Sequence, residues 1–365
     1  MNAELFFQAL SNEGAEMFCG VPDSLLKDLC ACIKDKVDFK NNIIAANEGN
    51  ALATAAGYYL ASGTPGVVYM QNSGLGNIIN PLLSLVDPDV YNIPVLMIIG
   101  WRGEPGVHDE PQHITQGRLT MPLLDTMGIK YEVLTDISQV PVAFQYMKNT
   151  NRPFAFIVQK GCFESYPSCK TTNEYQLARE CAIRSVVNHM DSTDIVVSTT
   201  GMISRELYEC RETHEKDFLT VGSMGHASSI AFGIAVTKPN RKVFCLDGDG
   251  AFLMHMGAAP VIASRALSNF KHIILNNEAH DSVGGQPTIM NGVKLPALLL
   301  NSGYKNVHEA YSEEQIHEQW DKFALSEETS ALIIHVKTGA RKDLGRPKEK
   351  PQENKQAFMK FLQEN

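Results

Sequence analysis

The sequence predicts an α/β protein built as two doubly wound parallel-sheet domains. Apolar, β-rich segments alternate with helical stretches twice along the 365 residues, with six strand candidates in each half. At the ends of two of those candidates stand Gly248-Asp249-Gly250 and, after a 25-residue gap, Asn276-Asn277. The length accommodates two units of roughly 160 to 180 residues, each large enough for its own core.

In the first half the strand candidates fall near 15–19, 42–46, 66–70, 94–99, 130–134 and 153–158. In the second they fall near 194–198, 217–221, 242–246, 271–276, 304–308 and 331–336. Short apolar runs separated by helix-length segments are the mark of parallel strands covered on both faces. No sequence repeat relates the halves, so any pseudo-symmetry is architectural. The expected division is a first domain over 1–160, a linker over 161–176 rich in Pro, Ser, Thr and Asn, and a second domain over 177–338. A charged stretch with Pro347 and Pro351 then leads into a C-terminal amphipathic helix, completing 339–365.

The segment from Lys242 to Asn277 reads as a βαβ unit. One strand runs into the glycine turn, Ala251 to Leu267 supplies the crossover helix, and a second strand ends at the Asn pair. A carboxylate and a carboxamide thus reach the carboxyl ends of parallel strands, where open α/β sheets bind ligands. Hard oxygen ligands flanked by glycines suit Mg²⁺ holding a diphosphate. Alone, Gly-Asp-Gly is an ordinary turn. In the first half, Glu48 opens an Ala-rich helix (51–61) after a short strand; a carboxylate in a helix's first turn is the ordinary reading of such a residue.

The net charge of −9 argues against a nucleic-acid surface, and no apolar run has bilayer-spanning length. The amino terminus lacks the basic region of a signal peptide. Eight cysteines at irregular spacings form no CxxC pair, as expected of reduced, largely buried thiols in a cytoplasmic protein.

Gly248-Asp249-Gly250 with Asn276-Asn277 resembles the cofactor signature of the thiamine-diphosphate-dependent decarboxylase family. The stretch from Asn47 through Tyr59 resembles that family's catalytic glutamate segment. Two domains in this order, with no room for a middle one, most resemble the phosphonopyruvate decarboxylases, with the sulfopyruvate decarboxylases as neighbours. The resemblance implies thiamine diphosphate and Mg²⁺ as cofactors. The metal ligands would be Asp249, Asn277 and the carbonyl of Ala279, and Glu48 would lie against the aminopyrimidine N1′. It also implies a pyrimidine-binding first domain, a diphosphate-binding second domain, and a homodimer or higher oligomer with active sites shared between subunits.

By the same resemblance the cofactor's diphosphate would meet Thr200, Gly201, Gly222, Ser223, Gly248, Gly250 and Ala251. Met224 would wedge beneath it, although a plain N-cap by Thr199 or Thr200 and a core Met are the ordinary readings. Asp23, His113 and His280 are candidate proton-transfer groups; Ser24, Arg102, Ser282 and Lys294 are candidate substrate contacts. Asp23 or Ser24 also suits a helix N-cap, and His113 closes a polar loop running from Trp101. Gly284-Gly285 offers a hinge.

The implied reaction is non-oxidative decarboxylation of 3-phosphonopyruvate to phosphonoacetaldehyde and CO₂, as in phosphonate biosynthesis. Alternatives are sulfopyruvate decarboxylation, an acetolactate- or acyloin-type carboligation, or a noncatalytic cofactor binder. A generic nucleotide binder is disfavoured, because neither GxGxxG after the first strand nor GxxxxGK[ST] is present.

Overall fold

The computed structural model describes residues 1–167 and 171–364, and the chain divides into two compact units, Met1–Lys170 and Thr171–Asn365. The first unit holds a parallel sheet of β1 (Phe18–Gly20), β2 (Asn42–Ile44), β3 (Gly66–Gln71), β4 (Val95–Gly100), β5 (Lys130–Val133) and β6 (Phe154–Val158). Their order across the sheet is β2-β1-β3-β4-β6-β5. Side chains alternate faces along each strand, and both faces are covered. Leu96, Ile98, Phe154 and Phe156 point into one core, whereas Met97, Ile99, Ala155 and Ile157 point into the other.

The second unit carries β7 (Ile195–Ser198), β8 (Asp217–Leu219), β9 (Val243–Gly248), β10 (Phe270–Asn276), β13 (Asn306–Ala310) and β14 (Ser330–His335). A two-residue hairpin pair, β11 (Ala279–His280) and β12 (Gln286–Pro287), follows β10. The main sheet reads β13-β14-β10-β9-β7-β8. Counted within its own unit, each sheet therefore has the same order, and the two halves share a topology without sharing a sequence. Cys245, Ile274 and Ile333 face one core, and Leu246, Leu275 and Ile334 the other. The terminal helix Pro351–Glu364 seals the first of these through Phe358 and Phe361. Burying a side chain of that size is worth about 1.5 to 3 kcal/mol.

In each sheet the chain reverses its direction of winding beside the first strand. The carboxyl ends of β1 and β3 flank one switch point, and those of β7 and β9 flank the other. Crevices open at such points because the loops leaving the two strands diverge to opposite faces of the sheet.

Several local expectations are corrected. The crossover after β9 comprises two short helices, Asp249–Met254 and Ala258–Ala263, instead of one. Pro260 has no N–H and its ring would clash with the carbonyl of Met256, so the first helix cannot continue. The helix after β1 starts at Lys27 with no side-chain cap, because Asp23 is engaged elsewhere. The helix after β7 is capped by Gly201 at φ 91°, ψ −135°, a conformation suited to glycine, and neither Thr199 nor Thr200 caps it. The described cysteines are all unpaired thiols, and Cys169 lies outside the described residues. No described helix is long and apolar enough to cross a membrane.

Candidate active site

In the second unit, β9 ends at Gly248 and a helix begins at once with Asp249, which is therefore held at the switch point. Its carboxylate is 2% exposed and accepts a hydrogen bond from the Thr288 hydroxyl at 2.5 Å. Burial, only partly offset by these donors, pushes the carboxyl up to about 7. The neighbouring strand β10 delivers Asn277, whose Nδ2 donates to Asp281 Oδ2 at 2.7 Å. Glu278 then takes a left-handed φ of 58°, and Tyr175 Oη donates to its carboxylate at 2.8 Å. This turn brings Ala279 back beside the cleft, where Ala279 N meets Asn277 Oδ1 at 3.3 Å.

The sequence-chosen residues Thr200, Met224, Gly248, Asp249, Gly250, Ala251, Asn277, Ala279, His280 and Ser282 all line this one cleft. Gly250 is required there: a Cβ on it would stand 2.8 Å from Cε1 of His280, whose ring packs over that backbone. Burial lowers His280 to about 4, leaving a neutral imidazole at neutral pH. Gly201 caps the helix beside the cleft, and the hydroxyl of Thr200 accepts from Gly222 N at 3.0 Å, linking two of the predicted phosphate-binding turns. Gly222, Ser223 and Gly225 all have positive φ (71°, 45° and 85°), which shapes the loop that presents Met224. Ser223 is exposed on that loop, and Lys294 is exposed at the start of the helix Leu295–Asn301, away from the cleft lining. Gly284-Gly285 lies in the tight turn of the β11–β12 hairpin, where Gly285 N donates to His280 O at 3.0 Å.

In the first unit, Asn47 caps the helix Glu48–Ser62 and Glu48 is its first residue, 4% exposed. Asn77 Nδ2 donates to Glu48 Oε2 at 2.6 Å. Asp23, after β1, is fully buried; Gln71 Nε2 at the end of β3 donates to it at 2.7 Å and Leu25 N at 3.0 Å. Burial raises its carboxyl against these donors. Gly100 leaves the room it occupies, since a Cβ there would overlap Asp23 Oδ2.

Arg102 does not stand as an open cation. Its Nε and Nη2 fork onto Asp109 at 2.8 and 2.5 Å, and Nη1 donates to Ser24 Oγ at 2.9 Å. Against its own burial, Asp109 is drawn down to about 2 by that guanidinium and by Gly103 N. His113 is likewise no loop residue: it lies buried in the first turn of the helix Pro111–Thr126, with Nδ1 unpartnered. Burial, with the Arg102 charge, lowers it to about 4.

Sequence reasoning passed over Thr288, Asn77, Gln71, Asp109, Asp281 and Arg179. Asp281 stood inside the segment chosen after Asn277, but Arg179 reaches it across 102 positions, and no local pattern signals that. The donor set tests well for a cation with a diphosphate. Asp249, the amide of Asn277 and the carbonyl of Ala279 are hard oxygens, and the buried, unpartnered Thr199 hydroxyl lines the same cleft.

The chain is similar to known proteins along most of its length. Residues 2–127 match the N-terminal TPP binding domain of thiamine pyrophosphate enzymes, and residues 197–334 match the C-terminal TPP binding domain. The chain is 33% identical to a phosphonopyruvate decarboxylase of Streptomyces viridochromogenes, over 97% of this chain and 93% of that protein. It is 32% identical to the phosphonopyruvate decarboxylase of Streptomyces hygroscopicus, over 100% and 94% of the two chains. A sulfopyruvate decarboxylase of Methanosarcina acetivorans is 27% identical over 92% of this chain and 91% of its own length.

Proposed function

This chain belongs to the thiamine-diphosphate-dependent decarboxylases, and we propose that its reaction is the non-oxidative decarboxylation of 3-phosphonopyruvate to phosphonoacetaldehyde and CO₂. The observation that carries the substrate is similarity to two phosphonopyruvate decarboxylases along nearly the whole chain, above that to the sulfopyruvate decarboxylase.

In this reading Asp249, Asn277 and the Ala279 carbonyl hold Mg²⁺. Thr200, Gly201, Gly222, Ser223, Gly248, Gly250 and Ala251 hold the diphosphate, with Met224 beneath the cofactor. When bound, thiamine diphosphate supplies the nucleophilic carbon and the electron sink for the departing CO₂. Glu48, whose carboxyl Asn77 fixes, would be the residue that holds a proton against the aminopyrimidine ring of the bound cofactor. His113 and His280, both neutral at neutral pH, are set to accept a proton or to donate one from a ring N–H, and buried Asp23 to pass one on.

The substrate's anionic end falls to Ser24, Arg102 and Ser282, whereas Lys294, exposed and outside the cleft lining, is left out of the contact set. Because Asp109 neutralises Arg102, recognition there rests on directed donors more than on net positive charge. The active assembly is a homodimer or higher oligomer.

CO₂ release from phosphonopyruvate, sulfopyruvate and pyruvate, compared as kcat/KM, tests the assignment. Phosphonopyruvate is expected to lead pyruvate by about 10⁴, because the smaller acid leaves the pocket's donors unpaired. A preference for sulfopyruvate would move the protein to the neighbouring activity, and a preference for pyruvate would remove the anion pocket.

A further inference from the structure

An asparagine ligates a cation only through its oxygen, and its two ends exchange by a simple flip. What faces the other end therefore decides whether Asn277 is a ligand at all. Here Asp281 faces it. An ionised carboxylate accepts and cannot donate, so the group 2.7 Å from Asp281 Oδ2 is the NH₂ of Asn277, and Oδ1 is turned the other way, where Ala279 N also donates to it at 3.3 Å.

Asp281 is itself held in place. Arg179 Nη1 donates to the same Oδ2 at 2.8 Å, and Gly339 N, just beyond β14, donates to both carboxylate oxygens at 3.1 and 3.0 Å. Arg179 is 5% exposed and forks through Nε and Nη2 onto Glu206, 2% exposed, at 2.7 and 3.0 Å. Glu206 lies in the helix Met202–Glu209, and Arg179 opens the helix Arg179–Asn188. A buried ion-pair chain thus runs from two helices to one amide. Such chains add little net stability, because desolvation offsets the attraction, and fixing one geometry is a documented use for them. Outer-shell partners of this kind orient metal ligands and tune affinity.

We propose that Asp281, clamped by Arg179 and Glu206, is the positioning residue that presents the Asn277 oxygen to the divalent cation. This rests on the reading that Asp249 and Asn277 hold Mg²⁺.

The test titrates Mn²⁺ into the full chain, stripped of metal and with thiamine diphosphate present, and follows free Mn²⁺ by electron paramagnetic resonance. Asp281→Asn turns an amide donor either toward Gly339 N or toward Arg179 and Asn277. Mn²⁺ affinity is expected to fall by about 10- to 100-fold, while the metal-free protein still unfolds in one cooperative transition, at a lower temperature because a buried charge loses a partner. In an Asn277→Ala background the same change should cost little more, since its target is gone. Wild-type affinity in Asp281→Asn, or its full cost persisting without Asn277, overturns the proposal. Should Asp281→Asn fail to fold, Arg179→Lys keeps the charge but loses the fork, and unchanged Mn²⁺ affinity there overturns the proposal equally. If Asp249→Ala binds Mn²⁺ like the wild type, the cation reading itself falls, whatever Asp281 does.

Discussion

Gly74 and Glu48 meet through a missing side chain: a Cβ on Gly74 would lie 2.5 Å from the Glu48 carboxyl. The turn Asn72–Gly74 therefore closes over the carboxylate only because position 74 is glycine. The Gly74 backbone is ordinary, at φ −70° and ψ −13°, so Gly74→Ala strains nothing locally and acts by displacing Glu48. A shift of about 1 Å at a reacting group costs on the order of 10² in rate. We expect that loss in kcat at saturating cofactor, and a wild-type kcat would separate the glycine from the chemistry.

Glu48→Gln keeps the size of the side chain and an acceptor for Asn77, but it cannot share a proton with N1′. Cofactor binding should survive. Hydrogen–deuterium exchange at the C2 position of bound thiamine diphosphate should slow by about 10² or more, the scale of proton-transfer catalysis. Unaltered exchange would show that another group contacts N1′.

If Asp249 holds Mg²⁺ against the diphosphate, as proposed, binding of metal and cofactor is interdependent. EDTA should abolish activity, and Mg²⁺ with thiamine diphosphate should restore it. Asp249→Ala should resist restoration at ordinary Mg²⁺ concentrations. Full activity in chelator-treated, cofactor-free protein would exclude the reading.

His113 gives a stability signature in acid. Its folded-state value, near 4, lies below the unfolded value of about 6.5. Between those values the unfolded chain binds the extra proton, so stability is complete above pH 6.5 and is lost as pH falls toward 4. Denaturant unfolding from pH 7 to pH 4 should show the wild type losing ground to His113→Gln by up to about 1.4 kcal/mol per pH unit. Parallel profiles would place the imidazole in water.

Sharing of sites between subunits is checked by mixing two inactive chains. Glu48→Gln and Asp249→Ala damage different units of the chain. Co-expressed, they should regain activity that neither has alone, since some assembled sites would draw both intact parts from different copies. Persistent inactivity in a mixed oligomer would indicate sites completed within one chain.

The parallel sheets and the metal-type motif were legible in the sequence because both are set by short-range patterns. Val95 to Ile99 and Val243 to Leu246 are apolar without interruption, as strands buried on both faces must be. Gly248-Asp249-Gly250 and Asn276-Asn277 end neighbouring strands because a parallel crossover returns the chain to the same edge of the sheet. Helix boundaries were less legible: Pro260 splits the crossover, and Gly201 rather than a threonine caps the helix after β7.

What the site residues experience was decided only by the tertiary structure. Arg102 reads as a free cation until Asp109 neutralises it, and His113 reads as a solvated loop residue until a helix buries it. Asn277 is visible as a ligand type, but its partner Asp281 is held by Arg179, which packing brings to it across about a hundred positions. Residue type and spacing along the chain determine which groups can do chemistry. Burial, charge pairing and hydrogen-bond direction arise only between segments that meet in the fold.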